Sequence, residues 1–287
     1  MLLLKRKNAL ATYGVLLILL LIGTSSDLLL SESLYAPDSP FTGFFAAYGE
    51  LPALLCAWTG SACLLASVEG RRDRKAAAIR WVSGIVMAVS AGVSLLYKPY
   101  TFISRPITVL GTIVEGLIAI ATFAWVTRNA ERADRKLLGR VGTVLVLVAV
   151  GNVLVVTVTK IPWGRPRYRS VISTDGLDYR PWYVPGTDDR EAFEGILPHE
   201  EFKSFPSGHT ANAACALALL LLLYVIPSLR ERERALTAFA FAWTALVMAA
   251  RITAGAHFLS DVTVGLAVTF TLTVLLAHKF LQTKETC

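Results

Sequence analysis

Three groups of polar residues in this chain have the types and spacing needed to handle a phosphate group. The first is the run KIPWGRPRYR at 160–169, in which Lys160, Arg165, Arg167 and Arg169 place four cations within ten residues. Arginine offers planar donors that match phosphate oxygens, and its charge is permanent. The alternative interpretation is a set of interfacial side chains whose charged ends reach water from an apolar helix.

The second group is Pro206-Ser207-Gly208-His209, directly before an apolar stretch. A proline before a helix and a serine at its N-cap predict that a helix begins here. The free amide groups of a first helical turn attract anions, and Gly208 permits a close approach of the backbone. His209 would then lie beside a bound phosphate. The alternative is an ordinary capped helix with an interfacial histidine.

The third group is Arg251, His257 and Asp261. Residues four apart share one face of a helix, so Asp261 can hold the His257 imidazole in the tautomer that leaves its other nitrogen free to attack. Arg251 adds another permanent charge. Alone, the histidine and aspartate could instead cap a helix. A given tetrapeptide such as Pro-Ser-Gly-His arises by chance at about one position in 10⁵, so the combination favours one site.

The elements that must position these residues are strongly apolar. Hydrophobic residues make up 54% of the 287 residues and charged residues 17%, with a mean hydropathy of +0.55. Eight apolar stretches of about 20 residues are each long enough to cross a hydrocarbon core. They run approximately over 9–24, 41–68, 77–97, 106–127, 141–159, 209–226, 236–250 and 259–277. The sequence therefore predicts an all-α, polytopic transmembrane helix bundle of about eight spans, and it disfavours a soluble enzyme, a disordered chain and a disulfide scaffold.

The basic residues predict the orientation of this bundle. Clusters at 5–7, 71–75, 128–140, 230–234 and 279–284 all fall on one side if every stretch crosses, and the positive-inside rule makes that side cytoplasmic. Both termini are then cytoplasmic, and the three polar groups lie outside. The net charge of +7 follows from this topology and does not indicate nucleic-acid binding. The N-terminus also imitates a signal peptide, but we favour a retained helix.

Several further residues need an interpretation. Within apolar stretches, Cys56, Cys63 and Cys215 are predicted to be buried hydrophobes, and with Cys287 they form no CxxC pair. Polar residues inside spans either line a passage or, more in keeping with bundle packing, bond to a neighbouring helix; these are Glu50, Glu115 and Asn152. The remaining histidines, His199 and His278, are expected outside the site. The long connection at 160–206 predicts a folded lid, and its aromatic residues could rest on the headgroup layer.

Together the three groups resemble the type 2 phosphatidic acid phosphatase (PAP2) superfamily, whose fold is shared with soluble vanadium-dependent haloperoxidases. The family pattern is K-x6-R-P, then P-S-G-H, then S-R-x5-H-x3-D. Its matches here are Lys160-x6-Arg167, Pro206 to His209, and Arg251-x5-His257-x3-Asp261. Two positions depart from the pattern, because Tyr168 replaces the proline and Ala250 replaces the serine.

The resemblance implies a role for each residue. His257 would be the nucleophile that forms a phosphohistidine, Asp261 would orient it, and His209 would protonate the leaving oxygen. The phosphoryl oxygens would be held by Lys160, Arg167, Ser207, Gly208 and Arg251. No cofactor or metal is implied. A six-helix phosphatase core would occupy 77–287, with a long extracytoplasmic loop at 160–206, and 1–76 would form two additional N-terminal spans.

The leading hypothesis is hydrolysis of a phosphate monoester or pyrophosphate on a membrane lipid, at the outer face of a bacterial inner membrane. Undecaprenyl pyrophosphate, phosphatidylglycerol phosphate, phosphatidate and a lipid A phosphate all remain open as substrates, as does the oligomeric state. A lipid phosphotransferase with the same phosphohistidine is the first alternative. A lipid transporter or flippase is less consistent, because transporters place polar sites near the midplane.

Overall fold

The computed structural model describes residues 1–93, 105–130 and 133–281. Over these ranges the chain forms helices and turns, with no β-strand. The α-helices are α1 (Arg6–Leu34), α2 (Pro40–Tyr48), α3 (Leu51–Ser67), α4 (Arg74–Gly92), α5 (Arg105–Ala130), α6 (Arg135–Trp163), α7 (Tyr168–Ser173), α8 (Thr187–Ala192), α9 (Gly208–Ala213), α10 (Cys215–Leu219), α11 (Glu233–Thr253) and α12 (Leu259–Leu281). The predicted all-α class is confirmed.

Local sequence signals explain where several helices begin and end. The side chains of Ser39, Asp73 and Asp134 cap α2, α4 and α6 by accepting hydrogen bonds from backbone amides of the first turn. Helix α6 ends at Gly164, whose φ of 66° is a left-handed conformation that favours glycine. The chain can therefore turn sharply just after Lys160 and direct the following arginines back toward the bundle.

Six helical segments of the described chain are long and apolar enough to cross a membrane, which fits an integral membrane protein. They are Arg6–Leu34, Pro40–Ser67, Val109–Asn129, Arg135–Ser173, Pro227–Thr253 and Leu259–Leu281. The third predicted span corresponds to α4, and the part of that span after residue 93 lies outside the described residues. The sixth corresponds to a shorter apolar segment, Gly208–Tyr224. The total of eight spans stays a prediction.

Helices α3 and α6 pack closely against each other. A Cβ added to Gly142 of α6 would lie 2.7 Å from the Gly60 carbonyl oxygen of α3, so small residues allow the two backbones to meet. Cys56, Cys63 and Cys215 are buried free thiols, as predicted, and Cys287 lies outside the described residues. The division at residue 76 stays a prediction, but α3 packs directly on the helix that carries Lys160.

The apolar segment that follows Gly208 is buried at the centre of the bundle. It is not one regular helix, because α9 and α10 are followed by a 3₁₀ helix over Leu220–Tyr224. Helix α9 contacts α6, α11 and α12. The three polar groups of the sequence therefore lie on α6, α9, α11 and α12 or in the connections directly beside these helices.

The connection at 160–206 is folded, as predicted. It contains α7, α8 and a 3₁₀ helix over His199–Phe202. Its aromatic side chains pack together, with the Phe205 ring 4.9 Å from Trp163 and 5.8 Å from Trp182 between centroids. The Trp182 indole also donates a hydrogen bond of 2.9 Å to Thr24 of α1, so the connection is tied to the first helix.

Candidate active site

A cavity of about 310 Å³ opens where α6, α9, α11 and the folded connection meet. Six of the eight residues predicted from the sequence to form the site line its wall, namely Lys160, Arg167, Gly208, His209, Arg251 and His257. The other two, Ser207 and Asp261, lie behind that wall. The cavity wall carries four cationic side chains and only two carboxylates, Glu50 and Glu200. This charge balance suits an anionic ligand.

His257 lies in the turn between α11 and α12 and is 1% exposed. The Arg251 carbonyl accepts hydrogen bonds from the amides of Ala256 and His257, both at 3.2 Å, which fixes the turn. The His257 Nδ1 atom lies 2.6 Å from the Ser204 carbonyl oxygen. Because a carbonyl only accepts, Nδ1 carries the proton and donates it there, and Nε2 keeps its lone pair.

The partner of His257 differs from the sequence-based expectation. Asp261 was expected to hold the imidazole directly, but its Oδ2 atom is 3.8 Å from Nδ1, whereas the Ser204 carbonyl is at hydrogen-bond distance. Asp261 instead binds two residues that lie next to the ring. Its Oδ2 atom accepts from the Ser204 hydroxyl at 2.5 Å and from the Phe258 amide at 2.8 Å. No sequence pattern could identify Ser204, because a backbone carbonyl is present at every position.

Electrostatics keep the His257 ring neutral. Burial lowers the pKa of His257 well below its ordinary value, and the nearby cations Lys160, Arg167 and Arg251 lower it further, whereas Asp261 opposes the shift. A neutral imidazole with Nδ1 protonated is the nucleophilic form of histidine.

His209 faces the same cavity from the first turn of α9. Its Nδ1 atom is 3.8 Å from the Glu50 carboxylate, which also accepts a hydrogen bond of 2.7 Å from the Asn212 amide. Glu50 was noted in the sequence only as a polar residue within a span, and Asn212 was not noted. An ionisable residue within an apolar span is itself a signal of a functional site.

The cations of the wall are held by different elements. The backbone amide of Arg167 donates to the Glu201 carbonyl and its Nε atom to the Glu200 carbonyl, both at 2.9 Å. The Lys160 amino group lies 3.8 Å from the position that a Cβ on Gly208 would take. The buried Nε atom of Arg251 makes no hydrogen bond within the described part of the chain. Arg251 therefore keeps a donor for a ligand.

Ser207 acts as the N-cap that the sequence predicted. Its hydroxyl accepts from the Thr210 amide at 3.3 Å, and its own amide donates to the Asp261 carbonyl at 3.0 Å. The cavity wall includes the neighbouring Gly208 and not Ser207. Ser207 thus fixes the start of α9 and links it to α12.

The other two cations of the 160–169 run have different surroundings. Arg169 lines the cavity and is paired with Glu201 at 2.5 Å. Arg165 is fully buried and contacts two carboxylates, Asp261 at 2.5 Å and Asp27 of α1 at 3.0 Å. Asp27 was not noted in the sequence, because the first apolar stretch was predicted to end at residue 24, whereas α1 continues to Leu34 and includes Asp27.

The remaining candidates separate clearly. Asn152 lines the cavity and also donates to the Ala211 carbonyl at 3.3 Å, so it both faces the site and bonds to a neighbouring helix. Glu115 is buried in α5 and is not part of the cavity wall. His199 and His278 are exposed and lie outside it, as expected.

Within the described ranges, no three His, Cys, Asp or Glu side chains are grouped so that they could hold a metal ion. Comparison with family models gives a match to the PAP2 superfamily over residues 140–285, just over half of the chain and a range that contains all three polar groups. The comparisons with curated proteins and with solved structures gave no match.

Proposed function

Because the chain belongs to the PAP2 superfamily, and so to a family of phosphatases and phosphoryl-transfer enzymes, we propose that it hydrolyses a phosphate monoester or pyrophosphate on a membrane lipid. The observation that carries this proposal is the position of the His257 ring in the cavity. Its Nδ1 atom donates a hydrogen bond to the Ser204 carbonyl. The ring lines the cavity together with four cationic side chains and His209.

The reaction has two steps. His257 Nε2 attacks phosphorus, and the bond from phosphorus to the leaving oxygen breaks. His209 gives that oxygen a proton, which it holds in the substrate complex because the negative charge of the substrate and of Glu50, 3.8 Å away, favours the charged ring against burial and the nearby cations. The product is a phosphohistidine. In the second step His209 takes a proton from water, the resulting hydroxide attacks phosphorus, and the bond to His257 breaks to release phosphate.

The cations supply the electrostatic part of catalysis. Phosphoryl transfer depends mainly on positioning and on stabilisation of charge on the three equatorial oxygens. Lys160 of α6, Arg167 of the folded connection, Arg251 of α11 and the Gly208 amide of α9 line the same cavity as His257 and would hold those oxygens. Ser207 contributes by capping the helix that presents Gly208. The chemistry proceeds without a metal or cofactor, and activity in excess EDTA is the expected result.

A lipid substrate is supported by the apolar side of the cavity. Val153, Val156 and Thr157 of α6 form part of its wall, and Val153 is 50% exposed on the outer surface of the bundle. An acyl or prenyl chain can therefore extend from the cavity along the lipid-facing side of α6. We place the reaction at the outer face of a bacterial inner membrane, with both termini cytoplasmic, on the charge distribution of the sequence.

The test is phosphate release by the purified protein from a panel that contains undecaprenyl pyrophosphate, phosphatidylglycerol phosphate, phosphatidate and a phosphorylated lipid A. We expect release from at least one lipid, inhibition by vanadate as a phosphate mimic, and loss of release in His257→Ala. The matched control is His278→Ala, an exposed histidine at the far end of α12. Release that survives His257→Ala would overturn the proposal, and label found on a lipid acceptor would identify a transferase instead.

A further inference from the structure

Asp27 is a buried carboxylate on a helix that is otherwise largely exposed. It is 1% exposed, while apolar neighbours on α1 such as Leu28 and Leu29 are 40% and 67% exposed. A charged carboxylate in such a place is costly unless it is paired and hydrogen-bonded. Its Oδ1 atom accepts from the Ser260 amide at 2.9 Å, and its Oδ2 atom accepts from the Ser260 hydroxyl and from Arg165. Asp27, on α1, therefore accepts hydrogen bonds from the amide and hydroxyl donors of Ser260 in the first turn of α12.

Arg165 joins Asp27 to the active site. Its guanidinium donates to the Arg180 carbonyl at 2.8 Å, to Asp27 at 3.0 Å and to Asp261 at 2.5 Å. The guanidinium carbon also lies 4.2 Å from the centroid of the Phe258 ring. Arg165 has no role left as a phosphate ligand, in contrast to Arg251, because its donors point at protein groups on every side.

The contacts then continue to His257. The second oxygen of Asp261 accepts a hydrogen bond from the Ser204 hydroxyl, and the Ser204 carbonyl accepts a hydrogen bond from His257 Nδ1. The cluster of Asp27, Arg165 and Asp261 contains two carboxylates and one guanidinium, and its Asp261 carboxylate, 3.8 Å from His257 Nδ1, places a negative charge behind the ring. That charge stabilises the positive charge that His257 gains when Nε2 bonds to phosphorus.

The backbone of α1 approaches α12 closely at the same level. A Cβ added to Gly23 would lie 2.8 Å from the Ser260 nitrogen and 3.0 Å from Asp27 Oδ1. One turn separates Gly23 from Asp27, so the glycine allows the approach that the carboxylate needs. Gly14, further along α1, has nothing within 4 Å of such a Cβ.

We propose that Asp27 is a positioning residue for His257, acting through Arg165 and Asp261, and that α1 is therefore part of the catalytic unit. This inference rests on the proposed phosphohistidine reaction. Asp27 touches no substrate; it sets the position and the charge of groups that hold the nucleophile.

The first test compares Asp27→Asn with Glu32→Gln, which neutralises an exposed carboxylate on the same helix. Asparagine keeps an acceptor for the Ser260 amide but loses the charge that faces Arg165. We expect kcat and the rate of phosphohistidine formation to fall about 10- to 100-fold, with KM unchanged because the phosphate-binding cations are intact. Glu32→Gln should match the wild type. An unchanged kcat in Asp27→Asn, or a change confined to KM or to thermal stability, contradicts the proposal.

A double-mutant comparison tests the route of the effect. In the Asp261→Asn background, Asp27→Asn should cause little further loss, because the link to His257 is already broken. An equal loss in both backgrounds would mean that Asp27 acts by another route.

The second test shifts α1 away from α12 without removing a charge. It tests the positioning role even if Asp27→Asn does not fold. Gly23→Ala should lower kcat at constant KM, and Gly14→Ala should have no effect. Equal activity in both glycine variants contradicts the proposal. Loss of phosphate release in His257→Ala is measured alongside. If that variant stays active, the proposed function fails; if it is inactive while the Asp27 and Gly23 variants are normal, only the positioning role fails.

Discussion

At the scale of single residues, arginines that look alike in the sequence have different surroundings. Arg165 and Arg251 both belong to the polar groups identified in the sequence, and both are buried. Arg165 is engaged by two carboxylates, whereas the Nε atom of Arg251 has no partner among the described residues. Residue type and spacing predict that arginines gather here, but only the fold determines which of them holds the structure and which can hold a ligand.

These surroundings predict opposite effects of the same substitution. Arg251→Lys keeps the charge but loses the planar donors, so kcat/KM should fall about 10- to 100-fold with little change in thermal stability. Arg165→Lys also keeps the charge, but the three donors of lysine cannot replace the five hydrogen bonds that Arg165 makes, and each buried acceptor left unpaired costs about 1–3 kcal/mol of folding free energy. Phosphate release and thermal unfolding in detergent measure both quantities. A stable but inactive Arg165→Lys, or an unstable Arg251→Lys, would reverse this assignment.

The surroundings of His257 predict a pH dependence with a definite sign. Burial, reinforced by the cations, holds the pKa of His257 below its ordinary value of 6.5, so the neutral nucleophile persists as the pH falls through that value. Asp261 acts in the other direction and raises the pKa. Asp261→Asn should therefore lower kcat and also move the acid limb of kcat/KM to lower pH.

The measurement is kcat/KM against pH for both proteins with the same lipid, so that ionisation of the substrate affects both curves equally. An acid limb that moves to higher pH in Asp261→Asn is the contrary result. The linked effect on folding has its own sign. Because the unfolded chain binds the His257 proton more readily, stability declines as the pH falls below 6.5 toward the lower pKa of the folded state.

At the scale of elements, the sequence predicts helices well and their interruptions poorly. The caps at Asp134 and Ser207 and the end of α6 at Gly164 follow from side-chain chemistry and glycine conformation. The apolar run after Gly208 predicts one continuous helix, but the structure has α9, α10 and a 3₁₀ helix. A segment that is buried on all sides has no polar face, so its residue pattern does not predict where the α-helix is interrupted or becomes a 3₁₀ helix.

The folded connection depends on Glu201, which no motif identifies. Its carboxylate accepts from Arg169 at 2.9 Å and 2.5 Å and from the Ser170 hydroxyl at 2.5 Å, while its carbonyl accepts from the Arg167 amide. Burial raises the pKa of Glu201, but the hydrogen bonds from Arg169 and Ser170 outweigh burial, and the net pKa is lowered. This contribution to stability is present above the ordinary pKa of glutamate and is lost as the pH falls through the lowered value.

We therefore expect Glu201→Gln to loosen the connection between α7 and α9 and to displace Arg167. Limited proteolysis should cut 168–206 faster, and KM for the phosphorylated lipid should rise several-fold. Glu194→Gln is the matched control, because Glu194 is an exposed glutamate of the same connection. Equal cleavage rates for the two variants would show that the Glu201 carboxylate does not hold this segment.

At the scale of the whole molecule, the N-terminal helices are more closely joined to the site than the family motifs indicate. The motif groups and the family match lie within 140–285. The structure nevertheless brings Asp27 from α1 to Arg165, and Glu50 from the junction of α2 and α3 to the cavity wall. The motif spacing could predict that the three polar groups form one site, but not these contacts, since they depend on tertiary packing between segments more than 100 residues apart.

The charge distribution predicts which side of the membrane holds the site. With Cys287→Ser as background, a membrane-impermeant maleimide meets only buried native thiols among the described residues, so single introduced cysteines report topology. Ser173 of the folded connection and Arg72 before α4 are both exposed. Because the positive clusters should stay cytoplasmic, Ser173→Cys should label in intact spheroplasts and Arg72→Cys only after lysis. The reverse pattern would place the phosphate-handling residues in the cytoplasm, and with them the lipid headgroups that the protein can reach.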